Sequence, residues 1–124
     1  MVKRTPTSSH DLAEAAIRGI QEIKGHDILS IDLREIQNSV SDFFIICHGT
    51  SNVQVEAIAK SVEKTILKDM NELPLHKEGK ENAEWILLDY FNIVVHIFDQ
   101  EAREFYNLEK LWADADVKQI EYQQ

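Results

Sequence analysis

Five consecutive apolar side chains, Phe43-Phe44-Ile45-Ile46-Cys47, stand between a Ser-Asp pair and a Gly-Thr-Ser turn. Successive side chains of a strand point to opposite faces of a sheet, so a run without polar alternation describes a strand covered on both sides. That strand must be central. After the turn, Val55, Ile58, Ala59, Val62 and Ile66 recur at helical spacing, with Glu56, Lys60, Glu63 and Lys64 on other faces. The stripe predicts an amphipathic helix over about 52–70. The turn itself raises a question, because small residues between a strand and a helix also build phosphate cradles.

The remaining elements follow from pattern. Ser8 and Asp11 open a first helix over 9–24, carried by Leu12, Ala16, Ile20 and Ile23 and stopped at Gly25. In 27–33 the alternation of Leu29, Ile31 and Leu33 against Ser30 and Asp32 reads as a half-buried strand at an edge. Residues 71–83 read as a loop with a short strand around 75–78. Two β-rich runs meeting at Phe91-Asn92 read as a hairpin. Asp99 caps a last helix over 100–114, with Phe105, Leu108 and Trp112 on one stripe, and the final dozen residues read as loose. The expected architecture is α/β in the α+β sense: a mixed five-stranded sheet flanked by helices, one domain over 1–124 with its core at about 9–113 and polar tails.

A chain of 124 residues is long enough to bury a core without disulfides or metals. The single cysteine, Cys47, lies inside the apolar run and reads as a buried, inert thiol. No stretch of about 20 apolar residues and no secretory leader is present, so a soluble, cytoplasmic protein is expected. The formal net charge of -9 repels phosphate backbones unless charge is strongly segregated, and attracts basic proteins.

The chemistry can be weighed residue by residue. A phosphate loop needs several glycines and usually a lysine, whereas here Gly49 stands alone and the next lysine is Lys60. A nucleotidyltransferase needs paired acids on a following strand, and 85–91 offers only Asp89. The turn therefore reads as a corner, with Ser51 or Asn52 capping the helix. The five histidines lack metal-ligand spacing, and Ser51, Asp89 and His96 lack a nucleophile's setting. No catalytic residue, cofactor or metal is expected.

In the hairpin, Asp89 falls opposite Val94, which sorts the side chains into two faces. Ile86, Leu88, Tyr90, Ile93, Val95 and Ile97 form an apolar face that must lie under a helix. Trp85, Leu87, Asp89, Val94, His96 and Phe98 form a mixed face, and aromatics with a few fixed polar groups are what protein interfaces concentrate. Tyr106 and Glu109, three apart, can flank that face. The alternative is that the last helix covers it while His96 and Asp89 satisfy each other.

Three blocks in order, 32–62 with its Ser41-Asp42 and Gly49-Thr50-Ser51, 85–98 with Trp85 to Asp89 and Val95-His96, and 102–115 with Arg103 through Trp112, resemble the ribosomal silencing factor family, RsfS, whose plant plastid relatives are called Iojap. One departure is Phe91-Asn92, where many members have Gly-Asp. The resemblance implies a fold like that of nucleotidyltransferases without the catalytic acids. It implies a non-enzymatic factor that binds the large ribosomal subunit through its universal protein number fourteen and blocks joining of the small subunit when nutrients are scarce. A role in large-subunit assembly and, further off, a nucleotidyltransferase-like enzyme are the alternatives. The expected partner-binding set is Trp85, Asp89, His96 and Phe98 of the hairpin with Arg103, Tyr106, Glu109 and Trp112 of the last helix. No sequence-specific nucleic-acid contact and no membrane are expected, and the free protein is expected to form a homodimer.

Overall fold

The structure, a computed structural model, describes residues 8–36, 39, 41–79, 82–112 and 115–120. The expected tails at 1–7 and 121–124, and the expected end of the last helix at 113–114, lie outside the described residues. Helix α1 (Ser9–Glu22) starts where Ser8 Oγ accepts the Asp11 N–H at 3.0 Å. It ends through Lys24, whose φ of 57° makes it the left-handed residue expected at Gly25. Helix α2 (Asn52–Met70) is capped by Ser51, whose Oγ accepts from the Gln54 amide, while Gln54 Oε1 accepts from the Thr50 N–H at 2.7 Å. This reciprocal cap fixes the chain's direction out of the turn. A Cβ at Gly49 would meet the Val55 nitrogen at 3.1 Å, so the turn uses its one glycine for close approach.

Among the described residues six strands form one mixed sheet in the order β3-β4-β5-β2-β1-β6, with ranges β1 (His26–Asp32), β2 (Phe43–Gly49), β3 (His76–Glu78), β4 (Trp85–Asp89), β5 (Ile93–Asp99) and β6 (Asp116–Gln119). Every residue of β2 is buried. It lies parallel to β5, and all other pairings are antiparallel. The sixth strand corrects the expected five: β6 pairs with β1 from Leu29↔Gln119 to Asp32↔Asp116, in the stretch expected to be loose. Its arrival also moves β1 from the edge to the interior of the sheet.

Alternation along β2 and β5 divides the interior into two cores. Phe43, Ile45, Cys47, Ile93, Val95 and Ile97 pack under α1 and α2 with Val55, Ile58, Val62 and Ile66. Burial pushes the Cys47 thiol up to about 12, so it stays protonated and unreactive. On the opposite face Ile31, Leu33, Phe44, Ile46, Val94 and Phe98 form a smaller cluster. Its cover is the carboxyl-terminal part of the chain: α3 (Gln100–Tyr106) and α4 (Leu108–Leu111), with Trp112 and Ala115. The single helix expected over 100–114 is broken at Asn107, which takes φ 46°, ψ 50°. Phe105, expected on the buried stripe, is 81 % exposed.

The hairpin register is as expected, with Asp89 opposite Val94. Its turn is closed by the Tyr90 N–H donating to the Ile93 carbonyl at 2.9 Å, and Phe91 sits at φ 73°. Three bonds hold it there: the Phe91 N–H donates to Asp89 Oδ1, Ser41 Oγ–H donates to the Phe91 carbonyl, and the Asp42 N–H donates to the Asn92 carbonyl. The Ser41-Asp42 pair thus braces the start of β2 against this turn. A side chain in left-handed backbone costs about 1–2 kcal/mol. Phe91→Gly should therefore melt a few degrees above Phe91→Ala, since both lose the exposed ring but only glycine relieves the strain. Equal melting temperatures by circular dichroism would contradict this account of the turn.

Candidate partner-binding face

An aromatic ladder runs out of the smaller core to the surface. Phe98 at its base is fully buried. Trp85 stacks on Phe98 at 4.8 Å and meets Tyr106 at 4.8 Å, and Tyr106 meets Phe105 edge-on at 5.1 Å. Exposure rises along the ladder, from 0 % at Phe98 to 49 % at Tyr106 and 81 % at Phe105. Leu111, at 73 %, adds to the apolar surface of the same carboxyl-terminal segment. The cross-strand pair Trp85↔Phe98 fixes the inner rungs, and α3, capped by Asp99, fixes the outer ones.

The expected partner-binding residues divide into two kinds. Tyr106 is open and Trp85 half-buried, so both can reach another molecule. Phe98 and His96 are buried, which corrects the expectation that they lie on an open interface: the carboxyl-terminal segment covers them. Nor does His96 pair with Asp89. The indole N–H of Trp85 donates to His96 Nδ1 at 3.2 Å, which leaves the ring proton on Nε2, a buried atom with no partner among the described residues. His96 and Trp112 both stand edge-on to Phe44, at 4.8 and 5.5 Å, so Trp112 too packs inward. Asp89 is occupied by the turn at the far end of β4.

Arg103 is buried and acts as a staple. One guanidinium nitrogen lies 2.9 Å from His48 Nδ1 and donates at 3.4 Å to the His26 carbonyl; the other donates to Glu109 Oε2 at 3.1 Å. A guanidinium has no acceptor, so His48 must offer a lone pair at Nδ1, and burial together with the nearby Arg103 charge holds its pKa below the ordinary value. Arg103 therefore ties α3 to the ends of β1 and β2 and to α4 across the break at Asn107. Glu109 is already paired within the chain rather than free for a partner's cation. Sequence reading missed Phe105 and Leu111 as surface residues. The available signal was Asn107, since asparagine often takes the left-handed position that ends a helix.

Comparison with known proteins bears on what such a face is for. The family described as ribosomal silencing factor during starvation matches residues 6–124. The chain belongs to the ribosomal silencing factor family. It is 37 % identical over 114 residues to the ribosomal silencing factor RsfS of Halalkalibacterium halodurans, covering 92 % of this chain and 96 % of that one. With the Bacillus subtilis RsfS it shares 38 % identity, covering 90 % and 92 %. A crystal structure of a Chromobacterium violaceum protein superposes with a TM-score of 0.81 at 34 % identity, covering 86 % of this chain and 88 % of that one. A mouse relative, 35 % identical over 58 % of this chain and 32 % of its own length, is named mitochondrial assembly of ribosomal large subunit protein 1. The resemblance drawn from the three sequence blocks is thus borne out, and so is the mixed α+β class.

The ladder makes acid stability depend on His96 in this RsfS relative. Burial pushes its pKa down from 6.5 to about 4. Between those values the unfolded chain takes up a proton that the folded chain refuses, so stability falls as pH falls through this window and levels off below it. A shift of that size corresponds to about 3 kcal/mol. His96→Asn keeps an acceptor for the Trp85 N–H but has nothing to titrate. Urea unfolding from pH 7 to pH 4 should therefore lose less stability in the variant than in the parent. Parallel profiles would contradict the burial of a neutral His96.

Proposed function

We propose that this chain binds the large ribosomal subunit through the subunit's universal protein number fourteen, occupies surface that the small subunit needs, and so represses translation when nutrients are limiting. The observation that carries the reading is the aromatic ladder, which ends in the exposed Tyr106 and Phe105 while its lower rungs are locked in a core. Rigid aromatics of this kind bind with little loss of conformational freedom. A chain of net charge -9 is also drawn toward a basic ribosomal protein. The reaction is occlusion, with no bond made or broken. Asp89, the acid that a transferase would need for metal, instead accepts the Phe91 amide at 2.8 Å. Phe98, His96 and Arg103 position the face, whereas Trp85, Phe105 and Tyr106 touch the partner. Free in the cytoplasm, the chain covers the same patch with a second copy of itself. Among the described residues no helix is long and apolar enough to cross a membrane.

Truncating a central aromatic anchor costs about 2 kcal/mol or more, a loss of roughly thirtyfold in affinity. Tyr106→Ala should weaken binding to purified large subunits by about that factor, while Glu56→Ala, exposed on α2, should leave it unchanged. Both variants should melt close to the parent. A Tyr106→Ala protein that folds and binds as the parent does would overturn the assignment of the face.

A second reading, large-subunit assembly, is favoured by the name of the mouse relative. Depleting the chain from cells separates the two. Silencing predicts more joined ribosomes in starved cells, and assembly predicts large-subunit precursors in growing ones.

A further inference from the structure

The other side of the molecule carries a feature that occlusion does not use. Lys60, Lys64 and Lys68 follow one another at intervals of four on α2 and are all exposed. At 1.5 Å rise per residue each stands about 6 Å further along the axis, on an inclined row that winds slowly round one side of the helix. Beside them runs a groove of about 690 Å3 between α1 and α2, to which α1 contributes Arg18 and Glu22. The helices approach closely at Gly19, where a Cβ would lie 2.8 Å from the Val62 Cα, and Ser61 Oγ–H donates to the Gly19 carbonyl at 2.7 Å. The two walls of the groove are thus packed directly against each other.

Among the side chains that line the groove, four cations, Arg18, Lys60, Lys64 and Lys68, outnumber two carboxylates, Glu22 and Asp69, while Glu56 stands one turn before Lys60 on α2. Of the groove's two carboxylates, Asp69 is taken by Arg18 at 2.9 Å and Glu22 stands on α1, across the groove from the lysines. Glu63, one residue before Lys64 on α2, is turned to Lys77 of the β3 region at 2.9 Å. Lys60, Lys64 and Lys68 form no ion pair within 4.0 Å among the described residues. In a chain of net charge -9 this is a local positive ridge on the layer opposite the aromatic ladder.

We infer that the Lys60-Lys64-Lys68 ridge binds the phosphate backbone of duplex RNA, without reading its sequence. Evenly spaced lysines match the regular spacing of successive phosphates along a strand and carry no base-reading geometry. An acidic protein is the poorer occupant, because protein interfaces are built on aromatic anchors and depleted in lysine, and the ridge offers no aromatic. The inference rests on the ribosomal reading only for where such RNA is met: a factor seated by its aromatic face would use the ridge on a neighbouring ribosomal RNA helix.

The experiment is fluorescence anisotropy of a labelled RNA duplex of about 16 base pairs titrated with the full chain. Binding is expected to be weak and steeply salt-dependent, falling sharply between roughly 50 mM and 200 mM salt. Lys60→Gln, Lys64→Gln and Lys68→Gln combined should weaken it at least tenfold and reduce the slope of log K against log salt by about 2 to 3. Glutamine keeps lysine's helix propensity, so the variant should melt with the parent. Lys118→Gln on edge strand β6, and Tyr106→Ala on the aromatic face, should bind the duplex as the parent does. Absence of binding at low salt, or a triple variant that binds undiminished, overturns the inference. So does a polyglutamate competitor that no longer meets the variant yet binds the parent as tightly as RNA, since the ridge would then serve an acidic protein. Subunit binding is scored separately, so loss of the RNA result leaves the aromatic face standing and the reverse also holds.

Discussion

Burial of β2 on both faces is the constraint from which the rest of the architecture follows. Seven consecutive buried residues, Phe43 to Gly49, require two separate layers of cover. Each fully buried Ile or Phe contributes roughly 1.5–3 kcal/mol, so neither layer can be dispensed with. The α1 and α2 pair supplies one with helices of 14 and 19 residues, each burying one apolar stripe. Only a short carboxyl-terminal stretch remains for the other. Two helices of seven and four residues cannot hide every apolar side chain they carry, and the surplus emerges as Phe105, Tyr106 and Leu111. The candidate binding face is, in this sense, the unfinished edge of a necessary core.

Holding so small a cover in place depends on interactions that reach from the cover into the sheet. Trp85 stacks on Phe98 and donates to His96, so its ring is fixed both by area and by direction. Arg103 reaches the sheet at His48 and α4 at Glu109, spanning the break at Asn107. Arg103 is buried while Glu109 stays partly open to solvent, so removing the guanidinium chiefly strands His48 Nδ1 and the His26 carbonyl without their donor. The same groups that a surface reading would count as contacts thus serve to make the contacts rigid.

Much of this was legible in the residues. Uniform hydrophobicity placed β2 at the centre, alternation sorted the hairpin's faces correctly, and Ser8, Ser51 and Asp99 marked three helix starts. Pattern could assign Phe98 and His96 to a face but could not say whether that face was covered, because cover comes from a distant segment. Strand β6 left no trace: all four of its residues are exposed, and its attachment to β1 is made by backbone hydrogen bonds that carry no side-chain signal. At the helix break the one signal, Asn107, was outweighed by apolar residues that continue at helical spacing on either side of it.

Occlusion, as proposed, makes seating of this chain and docking of the small subunit mutually exclusive. Labelled chain bound to purified large subunits, titrated with purified small subunits, measures this directly. Occlusion predicts that the label leaves the particle as joined ribosomes form, and that excess chain suppresses joining in turn. Label that stays with joined ribosomes at full occupancy would contradict it.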